Sequence, residues 1–147
     1  MSLRRRAHFW LATSSAFDRA VHASPTLRDR AWRSARRYVA GPTAADAVAV
    51  SGRLAEVGLG ASVDLFGERA SPEEASAVAV DYEQLCATLE AATAPSTWVS
   101  LDLSHIAFDG SLLERIARAV PPGRRLQVGA EEAAHADRIL GLVLAAA

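Results

Sequence analysis

Acidic side chains gather at three places in this sequence, each at or just after a short apolar run. The first place holds Asp64 and Glu68, the second Asp102 with Ser104 and His105, and the third Gln127 followed by Glu131 and Glu132. If the three runs are neighbouring parallel strands, residues at the same level converge on one face. A converging acidic set can bind a cation, a cationic substrate such as an amine, or arginines supplied by another element. Acids also stand in the first turns of helices that follow strands, where the dipole favours them, and this role is expected of Glu131 and Glu132. Asp64 and Asp102 are harder to explain in that way. Each sits in an otherwise apolar strand, where a buried acid needs a partner or a raised pKa. His105 reads as a structural hydrogen-bonding residue. The sequence shows no Ser-His-Asp order, phosphate loop, dinucleotide fingerprint or paired metal-ligand spacing.

The elements that must position these residues follow from periodicity and punctuation. Residues 7–20 have a weakly amphipathic helical pattern that Ser24-Pro25-Thr26 breaks. Leu27 to Val39 is a second helix, with Arg28, Arg30, Arg33, Arg36 and Arg37 on solvated faces. Such a basic helix suggests RNA or anionic lipid, and a plain solvated surface helix is the simpler reading. Thr43 caps a third helix, with Asp46 as its acidic partner and Gly58 and Gly60 at its end. Ala61 to Phe66 reads as a strand. Ser71, Pro72, Glu73 and Glu74 start a long helix running to about Ala92. Thr93 to Ser96 is a loop. Trp98 to Ser104 is the second strand, and Asp109-Gly110-Ser111 starts a helix to about Ala119. Arg125 to Gly129 is the third strand, and Glu131 to Ala146 the last helix. Strands alternating with helices imply a parallel sheet.

Composition narrows the classes. The chain has 147 residues, half of them apolar, and a net charge of −1. No bulk field would draw in nucleic acid or a membrane. All its basic residues are arginine, so no lysine can serve as a Schiff base or general base. Cys86 is alone, which rules out an internal disulfide and reads as a packed thiol. Trp10, Trp32 and Trp98 read as packing residues. The apolar run after Arg4-Arg5-Arg6 is too short for a secretory signal, and no run is long enough to span a bilayer. A cytoplasmic protein is the default expectation.

Three phrases occur in an order and spacing that resemble the proline dehydrogenases of the bacterial, single-function type. An arginine-rich helix ends in Arg37-Tyr38-Val39-Ala40-Gly41. A Thr-started helix follows, then Gly58-Leu59-Gly60 and the strand phrase Val63-Asp64-Leu65-Phe66-Gly67-Glu68. The second-strand phrase is Val99-Ser100-Leu101-Asp102-Leu103-Ser104. The third is Gln127-Val128-Gly129-Ala130-Glu131-Glu132, leading into Asp137-Arg138-Ile139-Leu140. The resemblance implies a (βα)8 barrel holding FAD at the C-terminal ends of its strands. It implies oxidation of L-proline to pyrroline-5-carboxylate by hydride transfer to the flavin, with a quinone as electron acceptor. It implies that Glu68 closes over the site by pairing with an arginine, and that Ala130 makes a backbone contact to the flavin. Two positions depart from the family pattern. Asp102 stands where a lysine near the substrate carboxylate is usual, and Gly129 where an aspartate by the flavin is usual. An acid lost from one strand thus reappears on its neighbour.

The expected architecture is α/β: about three βα units of a partial TIM-type barrel over residues 58–147, preceded by a helical region over 1–57. Three strands cannot close a barrel, and the last helix ends in Ala145-Ala146-Ala147 without a C-cap, so a longer parent is expected. On this reading Asp102 and Glu68 are the catalytic candidates, Asp102 also faces the substrate, and Gly129 and Ala130 meet FAD. Partners are L-proline and a quinone, with room for a peripheral membrane contact or a homo-oligomer and none for nucleic acid. Two other classes stay open. One is a non-catalytic α/β interaction module using its basic helix or open sheet edges. The other is a metal-dependent hydrolase or lyase built on Asp64, Asp102 and Glu131.

Overall fold

Hydroxyl residues placed just before helical runs fix most of the helix starts, because their side chains satisfy amide donors that the first turn leaves unpaired. The computed structural model describes residues 14–67, 69–92 and 97–147. Glu68, the loop over 93–96 and the part of the first expected helix before residue 14 lie outside the described residues. The chain divides into two compact units, Met1–Gly41 and Pro42–Ala147.

In the first unit, α1 spans Ser15–Ala23 and α2 spans Pro25–Ala35. Ser14 Oγ accepts from the amide of Phe17, and Ser24 Oγ from that of Leu27. Pro25 opens α2, where its missing N–H costs nothing. The two helices pack against each other. The second helix ends at Ala35 rather than Val39, and residues 36–38 form a turn.

The second unit begins with α3, Ala44–Glu56, followed by β1, Ala61–Val63, and α4, Pro72–Glu90. Then come β2, Thr97–Leu101, a 3-10 turn over Leu103–Ile106, and α5, Gly110–Ala119. The chain continues through β3, Leu126–Val128, a second 3-10 turn over Ala133–His135, and α6, Ala136–Ala146. Thr43 with Asp46 and Ser71 with Glu74 form reciprocal capping boxes on α3 and α4. Gly58 follows α3 at φ +78°, a conformation that side chains resist.

The strands are parallel and lie in the order β1-β2-β3. Val63 pairs with Val99, and Ser100 with Gln127. Alternation then sorts the two faces. Val63, Val99 and Leu101 are buried in one core with Ala79, Tyr82, Leu85, Cys86 and Leu89 of α4 and Leu113 and Ile116 of α5. On the other face Ser62 and Gln127 are exposed, and Trp98 and Ser100 are half-buried. The sheet is open, with three strands among the described residues. What holds of the barrel expectation is a mixed α/β unit with consecutive parallel strands.

The first strand stops at Val63 instead of Phe66, and two further boundaries in this unit shift by several residues. The second strand stops at Leu101 instead of Ser104. A 3-10 turn has three residues per turn, so it brings Leu103 and Ile106 to the same side, and both are fully buried. The last helix starts at Ala136, not at Glu131. Glu131 has φ +41°, outside any helix.

Candidate functional site

The loops after the three strands are tied to one another. The amide of Ala70, after β1, donates to the carbonyl of Ser104, after β2, at 3.1 Å. The amide of Ser104 donates to Glu131 Oε1, after β3, at 2.8 Å. Arg69 also reaches from the first loop to Glu132 on the third, at 2.6 Å. That last pair is well exposed at both ends and adds little stability. Together these bonds fix a rim at the C-terminal ends of the strands. Glu131 is therefore no helix-start acid. Its carboxylate joins the second loop to the third.

Asp64 follows directly on β1, and its Oδ1 accepts from the Tyr82 hydroxyl at 2.7 Å. Tyr82 projects from α4 with its ring fully buried. Burial, reinforced by the Asp64 carboxylate, pushes its phenol well above the ordinary tyrosine range. Asp64 itself is exposed. The Tyr82 hydroxyl thus fixes an acid that water otherwise surrounds.

Asp102 follows directly on β2 and is half-buried. Partial loss of water raises its carboxyl above the usual range, and the nearby charges of Asp64 and Glu131 push the same way, with His105 opposing them. Its Oδ1 lies 1.8 Å from the point that a Cβ on residue 129 would occupy. Gly129 is thus the residue that gives the Asp102 carboxylate its place. The Gly129 amide is engaged by the carbonyl of Leu101 at 2.9 Å. Ala130 is exposed beside it.

Of the residues singled out in the sequence, Asp64, Asp102, Glu131 and Gly129 come together at this rim. His105 is buried in the 3-10 turn. Gln127 lies on the open sheet face, where it accepts from the Trp98 indole N–H at 3.1 Å. That turn continues into two residues with left-handed backbone, Ala107 at φ +53° and Phe108 at φ +56°. The second is unusual for a bulky side chain. Arg138 lies over the Phe108 ring at 4.6 Å, and His135 meets the ring edge-on.

Among the described residues, no group of three or more His, Cys, Asp or Glu side chains is arranged to hold a metal ion. Asp64, Asp102 and Glu131 do not form such a group. A shallow groove elsewhere is lined by Glu114, Ala117, Arg118 and the last three alanines, and no rim residue lines it. Tyr82 is the site residue that sequence reasoning missed. A signal was available, since it lies in the buried stripe Ala75, Ala79, Tyr82, Cys86, and a buried tyrosine hydroxyl needs a polar partner.

The fold and rim define a class, a parallel α/β unit with a carboxylate cluster where its strands end. The sequence matches no protein-family model and no curated protein. No described helix is long and apolar enough to cross a membrane.

Proposed function

We propose that this chain forms part of a flavin-dependent (βα)8 barrel of the proline dehydrogenase kind. The reaction is oxidation of L-proline, or a close cyclic imino acid, to pyrroline-5-carboxylate, with a quinone as electron acceptor. One observation carries the reading: the strands are parallel and consecutive, and Asp64, Asp102 and Glu131 gather where they end. Barrels of this architecture do their chemistry at that end. The three sequence phrases that resemble the family fall at those same strand ends.

The residues present suit one edge of a flavin. Ala130 offers exposed backbone with nothing larger than a methyl group, while the open side of Gly129 is taken by the Asp102 carboxylate. A planar ring can approach the Ala130 backbone closely. Ala130, with Gly129 beneath the Asp102 carboxylate, would hold that edge of FAD, which when bound supplies the hydride acceptor. The other staves of the barrel, with their contacts to the cofactor, lie outside these three βα units.

The chain's own groups have definite parts in this reading. Asp102 carries its carboxylate over Gly129 and faces the substrate. Its raised pKa lets it hold a proton at Oδ1 or Oδ2 more readily than a solvated acid. When ionised, it attracts the substrate's ammonium and repels its carboxylate. That carboxylate must then rest on arginines from other elements. Glu68 would close over the site by pairing with one of them. Tyr82 holds Asp64 in place at the margin.

Two preparations test the proposal. The 147-residue chain alone is expected to retain little FAD and to show no proline-dependent dye reduction. Stoichiometric yellow protein with turnover would overturn the view that further staves are needed. The second preparation replaces the first three βα units of an active proline dehydrogenase with residues 42–147. It is expected to retain FAD. A soluble, folded chimera without flavin sinks the barrel reading, and a monodisperse flavin-free oligomer of the chain itself would favour an interaction module.

A further inference from the structure

The net charge of −1 conceals a strong separation. Residues 1–41 carry nine arginines and two acids, a net +7. Residues 42–147 carry seven arginines and fifteen acids, a net −8. A polyanion that the whole chain would not attract therefore meets one concentrated basic unit.

Helix α2 and the turn after it hold Arg28, Arg30, Arg33, Arg36 and Arg37 against a single acid, Asp29. At 3.6 residues per turn, Arg28, Arg30, Arg33 and the C-cap Arg36 spread over about 200° of the helix surface. Leu27, Ala31 and Ala35 recur every four residues on the other side. Ala35 is half-buried and the rest of the helix is exposed, so that side is the one turned inward. The arginine side carries no Leu, Ile, Val or Phe. Like charges at Arg30 and Arg33, and at Arg33 and Arg37, weaken a helix standing alone. An eleven-residue helix that buries nothing is marginal already. A row of phosphates would relieve that repulsion.

Two aromatic rings stand among these charges. Trp32 lies between Arg28 and Arg36 at four-residue spacing and is 40% exposed. Tyr38 follows Arg37 in the turn and is 89% exposed. Rings between guanidinium groups suit a single nucleic-acid strand, whose bases stack on the rings while arginines hold the flanking phosphates. A paired base inside a duplex must leave its stack before it can do this. A lipid surface would use the charge but also needs an apolar face to enter the acyl boundary, and on α2 that face is turned inward.

We infer that α2 and the turn following it bind single-stranded nucleic acid, with Trp32 and Tyr38 as the stacking rings. The inference rests on the first unit alone and stands or falls apart from the flavin reading.

Fluorescence polarisation of labelled oligo(U) with the full chain tests it. Oligo(dT) of the same length is expected to bind as well, because stacking and charge do not depend on the sugar. Changing Arg28, Arg33, Arg36 and Arg37 to Gln should flatten the slope of log affinity against log salt by about 0.7 per arginine, while the four Arg→Lys changes keep it. Trp32→Ala should weaken binding by about five- to a hundredfold and leave that slope unchanged. Circular dichroism of each variant separates lost binding from lost helix. Any of four results would overturn the inference. These are no binding by the folded wild type, Trp32→Ala binding like wild type, a duplex competing as well as the single strand, and displacement of oligo(U) by phosphatidylglycerol vesicles at equal phosphate.

Discussion

The carboxylate of Asp102 and the bare Cα of Gly129 fit together as a pair across neighbouring strands. Asp102 Oδ1 sits 1.8 Å from where a side chain on residue 129 would begin. The φ of Gly129 lies outside the left-handed region, so the glycine is needed for space rather than for backbone conformation. With a side chain on residue 129, the Asp102 carboxylate would therefore have to leave this place.

Gly129→Ala is expected to cost about 1–3 kcal/mol, the usual range for a forced contact, because Asp102 must swing aside. In an Asp102→Ala background the same change should cost much less. Urea unfolding of the four proteins gives the coupling energy directly. Additive effects of the two changes would show that the carboxylate does not hold that space.

Asp102 also predicts a pH dependence. Its folded pKa is raised, chiefly by lost hydration. A raised value means that the folded state holds the proton more tightly, so this group favours folding below its unfolded pKa. That contribution is lost as pH rises through the folded value. Asp102→Asn should therefore melt slightly higher than wild type near neutral pH. The difference should vanish below about pH 4, the ordinary aspartate value. A constant difference across the whole range would point to packing instead.

Much of the frame was legible because it rests on local chemistry. Thr43 with Asp46 and Ser71 with Glu74 announce their helices through side chains a few residues apart. The alternation of strand and helix likewise implies parallel strands, and these are parallel. The rim was legible only in part. Asp102 and Gly129 stood out by type, but their contact depends on the register that sets Leu101 against Val128, which no local pattern encodes. Glu131 looked like a dipole-facing acid because sequence cannot show that the helix starts at Ala136. Tyr82 was hidden for the opposite reason. Its ring obeys the apolar period of α4, and only its hydroxyl departs from it.

Tyr82→Phe keeps the buried ring and removes one hydrogen bond to an exposed carboxylate. It should cost about 0.5–1.5 kcal/mol in denaturant unfolding. Its larger effect should appear at alkaline pH. The Tyr82 pKa is raised on folding, so the stability that this phenol contributes is present below about pH 10 and declines above it. The Phe variant lacks that group and should lose less stability than wild type over the alkaline range. Parallel losses in the two proteins would mean that some other group governs alkaline unfolding.

Arg124 predicts the largest loss outside the rim. Its Nη1 donates to the Thr97 carbonyl at 2.8 Å, and its Nη2 to those of Leu89 at 2.7 Å and Ala92 at 3.1 Å. One guanidinium thus ties the C-terminal end of α4 to the first residue of β2, where helix carbonyls lack intrahelical donors and the dipole favours a cation. Arg124→Met keeps much of the aliphatic stem and removes every donor. Hydrogen bonds from a charged group contribute about 1.5–3 kcal/mol each, and three sharing one side chain are not additive, so a loss of about 2–4 kcal/mol is expected. Arg124→Lys should recover only part of it, because a single ammonium cannot span the same carbonyls. Amide exchange should locate the effect at residues 89–92 and in β2. Uniform loss of protection across the second unit, with Lys equal to Met, would show that Arg124 acts through bulk packing.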